Sequence, residues 1–580
     1  MSTPSFVDAK MPGMTALDRI RFDRFPHFDE LTEWLQLIAD ASDGLVELSS
    51  IGQSHEGRDL WLATVTNPAT GPHHDKPALW IDGNIHASEL TAATAAVHLL
   101  HTLVTRRDDD KIRRALDRRT FYVVPRVNPD GAELAMAELP RIVRSTVREW
   151  PREHQAPGLV GEDVDKDGRL LQMRIEDPNG TWKPLPSHPR LLVPREPDED
   201  GPGPYYRLLR EGRVEGYDGV LIPPAPLLAG IDSNRNFPFD WRRHPAQPSP
   251  SGAGDFPTSE SEVRAVVQAV VDRPNITAYF AYHTYSGVHL RPYENQSDEA
   301  LPTSDLRTYQ AIGERLTEIT GYPSISVFHG FRYDPKDVIT GTGSGWAYDQ
   351  MGLYGWTTEF WSPLRAAGLP DAHPIDWYVD HPLDEELQLL AWIEEHAPDG
   401  YVDWYEFDHP QLGRVELGGW NSAAAFRNPP SSMLEAEVAP HSDAAVFHAL
   451  IAPELRLRDT EVEALGGDAW RVRVVVENAG WLPTNVTAKA IERKVARPVE
   501  ASITLPDGAS LRTGRERFDI GHLEGRAGRT NSIGSFGGAS DFTSDRGKAE
   551  WVVTAPAGTV VHVEVGAPRC GTVRVDLTLT

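Results

Sequence analysis

The sequence predicts an α/β domain followed by an all-β sandwich, and three observations carry that reading. ALWIDGN (78 to 84) and TFYVVPRVNP (120 to 129) are short apolar runs closed by turn residues, and TAATAAVHLLHTLV between them has helical spacing, which is the order of a βαβ unit. ITAYFAYH (276 to 283) and YGWTTEFW (354 to 361) read as two more buried strands, separated by the helical stretch DLRTYQAIGERLTEIT. After about residue 450, AWRVRVVVENAG, EASITLPDG, KAEWVVTA, TVVHVEVG and GTVRVDLTLT recur between turn signals, as in a β-sandwich.

The chain opens its first domain with the amphipathic helix pattern FDELTEWLQLIADAS and an alternating, hairpin-like segment up to residue 64. Residues 132 to 229 break the rhythm, being rich in Pro, Gly and charge, and are read as an insertion. The expected division is a first domain over 1–427, a linker or helix over 428–450 and a sandwich over 451–580. The helix in NPPSSMLEAEVAPHSD (428 to 443) reads equally as a linker or as an element packed back on the first domain.

With 580 residues, 40% hydrophobic and 24% charged, the chain can bury two cores. A net charge of −28 argues against nucleic acid or an anionic membrane surface as the main partner. One cysteine, Cys570, excludes an intrachain disulfide framework and any Cys-rich zinc module, and fits a reducing compartment. The N-terminus lacks an apolar core of signal-peptide length and no run of eighteen apolar residues occurs, so a soluble, cytoplasmic protein is expected.

Any metal ligands must therefore be His and carboxylate. His86 and Glu89 stand in GNIHASE, just after the 78–84 strand, where a loop at the carboxyl end of a parallel strand opens into a cleft. A lone HxxE also reads as a loop histidine and a helix N-terminal glutamate favoured by the dipole. His283 ends the 276–283 strand and reads as a distant third ligand or as a satisfied core histidine. Glu359 interrupts an apolar strand, where a buried carboxylate must be paired, protonated or functional. Two His and one Glu form a three-ligand zinc set that leaves a position for water, and a separate Glu is the natural base for it. Asn234 and Arg235, in GIDSNRNF, offer an amide donor and a bidentate fork for a carboxylate, or simply a solvated loop.

HASE, VNPDG, DSNRN, the strand ending in His283 and TTEFW occur in the order found in zinc carboxypeptidases of the carboxypeptidase A and B type, and residues 25 to 420 resemble that family. The resemblance implies a three-layer α/β/α domain with a mixed, eight-stranded sheet, and removal of a carboxy-terminal residue from peptides carrying a free carboxylate. It implies one zinc ion on His86, Glu89 and His283, with Glu359 as general base and acid, and Asp232 as the acceptor that fixes the first histidine's ring. Asn234 and Arg235 resemble the pair that grips the terminal carboxylate. Arg144 is the best match for the arginine that stabilises the oxyanion, with Arg148 second.

The sequence also departs from the family. Asp337 occupies the place of a loop tyrosine that folds over the substrate, Tyr333 being close but unaligned, and Gly345 replaces an aspartate before Trp346. Ser88 stands where some relatives carry an arginine. Ser344 falls at the expected pocket floor and Glu294 where a second branch carries an acid, with Arg291 near enough to neutralise it. Asp163, Asp165 and Asp167 have the spacing of a calcium loop, but the twelfth position is Arg174, and a solvated acidic turn is the default. PHHD (72 to 75) reads as a loop rather than a metal site, and Trp470, Trp481 and Trp551 as core or edge residues rather than a sugar platform. The expected activity is metallocarboxypeptidase action without an evident propeptide. The rivals are an amidase or deacylase on a non-standard amide, such as a cell-wall peptide or an N-acyl amino acid, favoured by the missing tyrosine, and a non-catalytic peptide-binding protein.

Overall fold

The computed structural model describes residues 16–141, 143–243, 252–528 and 542–580. Most of the N-terminal segment read for a leader, residues 1–15, lies outside them. An eight-stranded mixed sheet organises the first domain, in the order 46–53, 59–65, 120–124, 78–83, 276–284, 354–360, 288–291, 324–326. The four central strands are parallel, with antiparallel pairs toward both edges. This is the three-layer α/β/α arrangement expected from the sequence.

Alternation along the central strands explains the layers, because successive side chains leave opposite faces. Leu79, Ile81, Phe121, Val123, Ala278 and Phe280 face the helices Leu90–Thr105, Thr303–Thr320 and Leu434–Leu450. Trp80, Tyr122 and Tyr279 face the other way, toward Val263 and Val266 of Ser261–Val271 and Trp346 of Gly343–Asp349. The Phe28–Asp40 helix buries Leu31, Trp34, Leu35 and Ile38, the stripe its periodicity predicts. The Leu434–Leu450 helix belongs to this domain's core through Val438 and Ala445, so no free linker lies there.

The expected insertion is more ordered than its composition suggests. Gln172–Glu176, Trp182–Leu185, His188–Pro194 and Tyr206–Arg210 form a six-stranded sheet with Tyr401–His409 and Gly413–Trp420, and Gly158–Gly161 pairs with Gly212–Glu215. These strands are short, only partly buried and paired across large sequence separations, so period-2 alternation is weak in each. Arg174 sits in this sheet opposite Glu416, pairs with it at 2.9 Å, and lies between the rings of Tyr206 and Trp404.

The C-terminal domain consists of two four-stranded antiparallel sheets. Val472, Val474 and Val476 of one and Val561, Val563 and Val565 of the other fill its core with Trp470 and Trp551, while Trp481 is half-buried against the first domain. One helical turn, Ala488–Glu492, interrupts the strands, and its Ala488 and Lys489 amides donate to Asp305 of the first domain at 2.7 and 3.1 Å. Cys570 is buried, and burial pushes its thiol up to about 12. Beside it, buried Arg569 donates to the carbonyls of Gly352, Met351 and Asn485, and burial lowers its guanidinium to about 10. Arg569→Met should cost about 2–3 kcal/mol in chemical denaturation, since buried carbonyls lose their donors without gaining water. A loss below about 0.5 kcal/mol, the level of ordinary surface changes, would show that this contact does not hold the domains. Among the described residues no helix is long and apolar enough to cross a membrane.

Candidate active site

The parallel strands deliver the chemistry to one edge. In the register of Ile276–Thr284 with Tyr354–Phe360, His283 and Glu359 are direct partners, so the two side chains stand next to each other at the carboxyl end of the sheet. His86 and Glu89 come from the loop between Ala78–Gly83 and the Leu90–Thr105 helix. Gly83 lets that helix close in, since a Cβ there would lie 2.9 Å from the Ala92 carbonyl oxygen. VNPDG props the same loop. Asn128 accepts from the Gly131 amide and donates to the Ile85 carbonyl, and a Cβ at Gly131 would meet Ala87 and Asn128.

Four buried groups converge. His86 Nδ1 lies 2.9 Å from Glu89 Oε1 and 3.1 Å from His283 Nδ1, which is 3.0 Å from Glu89 Oε2. With ligand bonds of 2.0–2.1 Å, tetrahedral geometry spaces neighbouring donors by about 3.3 Å, so this cluster has the dimensions of a zinc cage. Two facing imidazole nitrogens and a carboxylate are also the donor types such an ion takes. Asp232 accepts from His86 Nε2 at 3.1 Å, which leaves the Nδ1 lone pair turned to the cluster. Its other oxygen accepts from Arg144 Nε at 3.0 Å, and Arg144 Nη1 approaches Glu89 Oε1 at 3.5 Å. The Arg144 carbonyl accepts from the Ala87 amide, fixing the guanidinium's loop to the His86 loop.

Glu359 is 9% exposed. Burial, with the nearby Glu89 charge adding and His283, Arg144 and Arg427 opposing, pushes its carboxyl up to about 8. Asn234 Nδ2 lies 3.5 Å from His283 Nε2, and its Oδ1 accepts from the Gly343 amide. Arg235 is buried, donates to the Asn234 carbonyl through Nη1 and has an Nε with no protein partner. A buried guanidinium with an unmatched N–H suits an incoming carboxylate.

Several expectations need correction. Arg148 points away from the cluster, because buried Glu260 takes it at 2.8 Å with Asp255 beyond. Tyr333 lies within range of the site's charges. Although 42% exposed, its phenol is close enough to feel Glu359, Arg144 and Arg235. Arg291 is paired with Asp298 at 2.8 Å and does not neutralise Glu294, which instead accepts from Ser344 Oγ. Glu294 Oε2 fills the space beside Gly345, where a Cβ would approach to 2.6 Å, so an aspartate before Trp346 would not fit. The Ser88 carbonyl accepts from Asn428, whose Oδ1 caps Thr91, a clamp hidden in a segment read as linker.

The weaker metal readings do not gain support. Asp163 accepts from the Lys166 and Gly168 amides, Asp167 pairs with Arg169, and Glu211 accepts from the Val164 and Leu171 amides, so Asp163, Asp165 and Glu211 gather in an acidic turn tied together by its own backbone. In PHHD, His73 bonds Tyr122 and Asp75 pairs with Arg574, as a loop would.

A match to the zinc carboxypeptidase family covers residues 31–183 and 196–379, more than half of the chain. The chain belongs to the zinc carboxypeptidase family. It is thereby placed among the metallopeptidases, hydrolases that act on peptides. Carboxypeptidase B of Astacus astacus is 24% identical over 345 residues, which are 57% of this chain and 84% of that protein. Carboxypeptidase A6 of Homo sapiens is 22% identical over 348 residues, 57% of this chain and 59% of that protein. The solved structure of carboxypeptidase A from Helicoverpa armigera is similar at 17% identity with a TM-score of 0.39, covering 66% of this chain and 76% of that one. Residues 454–578 match a domain of unknown function, DUF8731.

Proposed function

We propose that the protein is a zinc metallocarboxypeptidase that releases the C-terminal residue of peptides. The observation that carries this reading is the convergence of two imidazoles and a buried carboxylate on one point, with Glu359 beside them and the unmatched donor of Arg235 nearby. His86, Glu89 and His283 would hold zinc, which when bound polarises a water and the scissile carbonyl.

The chain's own groups supply the remaining work. Arg235 and Asn234 bind the terminal carboxylate and set which bond lies over the cluster. Arg144 is held in place by Asp232 and donates to the carbonyl oxygen as negative charge grows on it. Glu359 takes a proton from the attacking water and returns it to the departing amine, a task suited to a carboxyl whose burial raises its affinity for protons. Tyr333 closes over the substrate from the 331–342 loop. Its charge environment beside Glu359, Arg144 and Arg235 supports peptide cleavage over a non-standard amide.

The test is product analysis on a peptide set and an N-acyl amino acid set. Free C-terminal amino acids should appear from the first, with little release of acyl groups from the second, and the reverse pattern would transfer the activity to the amidase class. Arg235→Lys should lower kcat/KM for terminal-residue release about 10- to 100-fold, mostly through KM, because an ammonium does not reproduce a bidentate grip. An unchanged KM would remove Arg235 from substrate binding.

A further inference from the structure

A cavity of about 390 Å³ opens against Tyr285, walled by the six-stranded sheet, the Leu383–His396 helix and residues 422–427. Its size lies within the usual range of small-molecule pockets, about 300–1,000 Å³. A chain of edge-to-face rings forms one wall. Tyr285 meets Tyr378 at 5.4 Å and 85°, Tyr378 meets Phe426 at 6.1 Å, and Phe426 meets Trp420 at 5.5 Å and 87°. Trp182 and Trp404 line the space as well.

Two residues tie the cavity to the reacting groups. Tyr285 lies two positions after His283 and forms part of the cavity wall. Arg427 stands over the Tyr285 ring at 5.9 Å and lines the same cavity. By contrast, no lining residue comes from 232–235 or 291–346, the segments around Arg235. A peptide whose terminal carboxylate lies on Arg235 therefore crosses the cluster toward Tyr285 with its amino-side residues.

The chemistry of the walls selects the occupant. Part of their polar lining is already used: Gln172 accepts from the Trp420 amide, Trp404 Nε1 donates to the Arg190 carbonyl, and His381 stacks on Trp377 and lies 3.5 Å from Glu386. Arg427 and Glu386 both stand in the lining, so neither sign of charge dominates it and the rings set the preference. Resting on the carboxypeptidase reading above, we propose that this cavity binds a large aromatic side chain on the amino side of the scissile bond, so that the enzyme selects substrates by a residue it does not release. Exposed ring edges and faces reward aromatic contacts beyond their area.

The test uses N-acetylated peptides with one common C-terminal residue and either Trp or Gly at each of the three positions before it. The zinc-loaded full chain gives kcat/KM for terminal-residue release, and calorimetry on Glu359→Gln gives affinity without turnover. Trp at one of the positions should raise both by about tenfold or more. Leu208→Trp, which fills the cavity from its sheet, and Ser422→Trp, which fills it from the exposed rim, should each reduce the Trp-to-Gly ratio to about twofold or less. Trp and Gly peptides of equal affinity, or a ratio that survives both fillings, would overturn the proposal. Trp-dependent affinity without release of any terminal residue would sustain the pocket and defeat the carboxypeptidase reading instead.

Discussion

Glu359→Gln is expected to lower kcat by about 10³-fold or more while leaving one zinc bound per chain. The substitution keeps shape and burial, and it removes only the ability to take and return a proton. Because Glu359 is a strand partner of His283 and lies outside the donor cluster, the ligand atoms should not move. Metal analysis and single-turnover kinetics on the same preparation separate the two effects. Retained turnover would take the proton-transfer role from Glu359, and lost zinc would make it part of the metal site.

Glu89→Ala is expected to abolish zinc binding and activity together. Both oxygens of this carboxylate face histidines, and Arg144 also depends on it for charge balance. Removing it leaves two imidazoles, an incomplete cage for a tetrahedral ion. The readout is thermal. A ligand at 1,000 times its Kd stabilises the folded state by about 4 kcal/mol, so zinc should raise the wild-type melting temperature and leave that of Glu89→Ala unchanged. Equal zinc-dependent shifts in the two proteins would move the metal away from His86 and His283.

How much of this was legible in the sequence depended on what carried each signal. The central strands were readable because strands buried on both faces are continuous apolar runs, and a carboxylate or histidine at their ends is conspicuous against that background. The ligands and Asp232 lie in motifs of fixed local spacing, so order along the chain located them, whereas the choice of Arg144 over Arg148 was open until Asp232 and Glu260 were seen to hold one each. The six-stranded sheet was not legible because its pairings span up to some 240 positions, as between Arg174 and Glu416, and each strand is too short for alternation to show. Tyr333 and Arg148 were misplaced for a related reason. Loop length sets their distance from a motif, while the surroundings that decide where they point, such as Glu260 for Arg148, are remote in sequence. Asn428 and Arg427 were overlooked because Pro-flanked polar residues near a domain end resemble a tether.

The Arg569 guanidinium grips the backbone at Met351 and Gly352, immediately upstream of the strand that bears Glu359. The sandwich is thus a buttress for the proton carrier's own ribbon, though it contributes no reacting group. Severing the chain between the two parts would therefore unfasten the ribbon's entrance while leaving His86, Glu89 and His283 on their own elements.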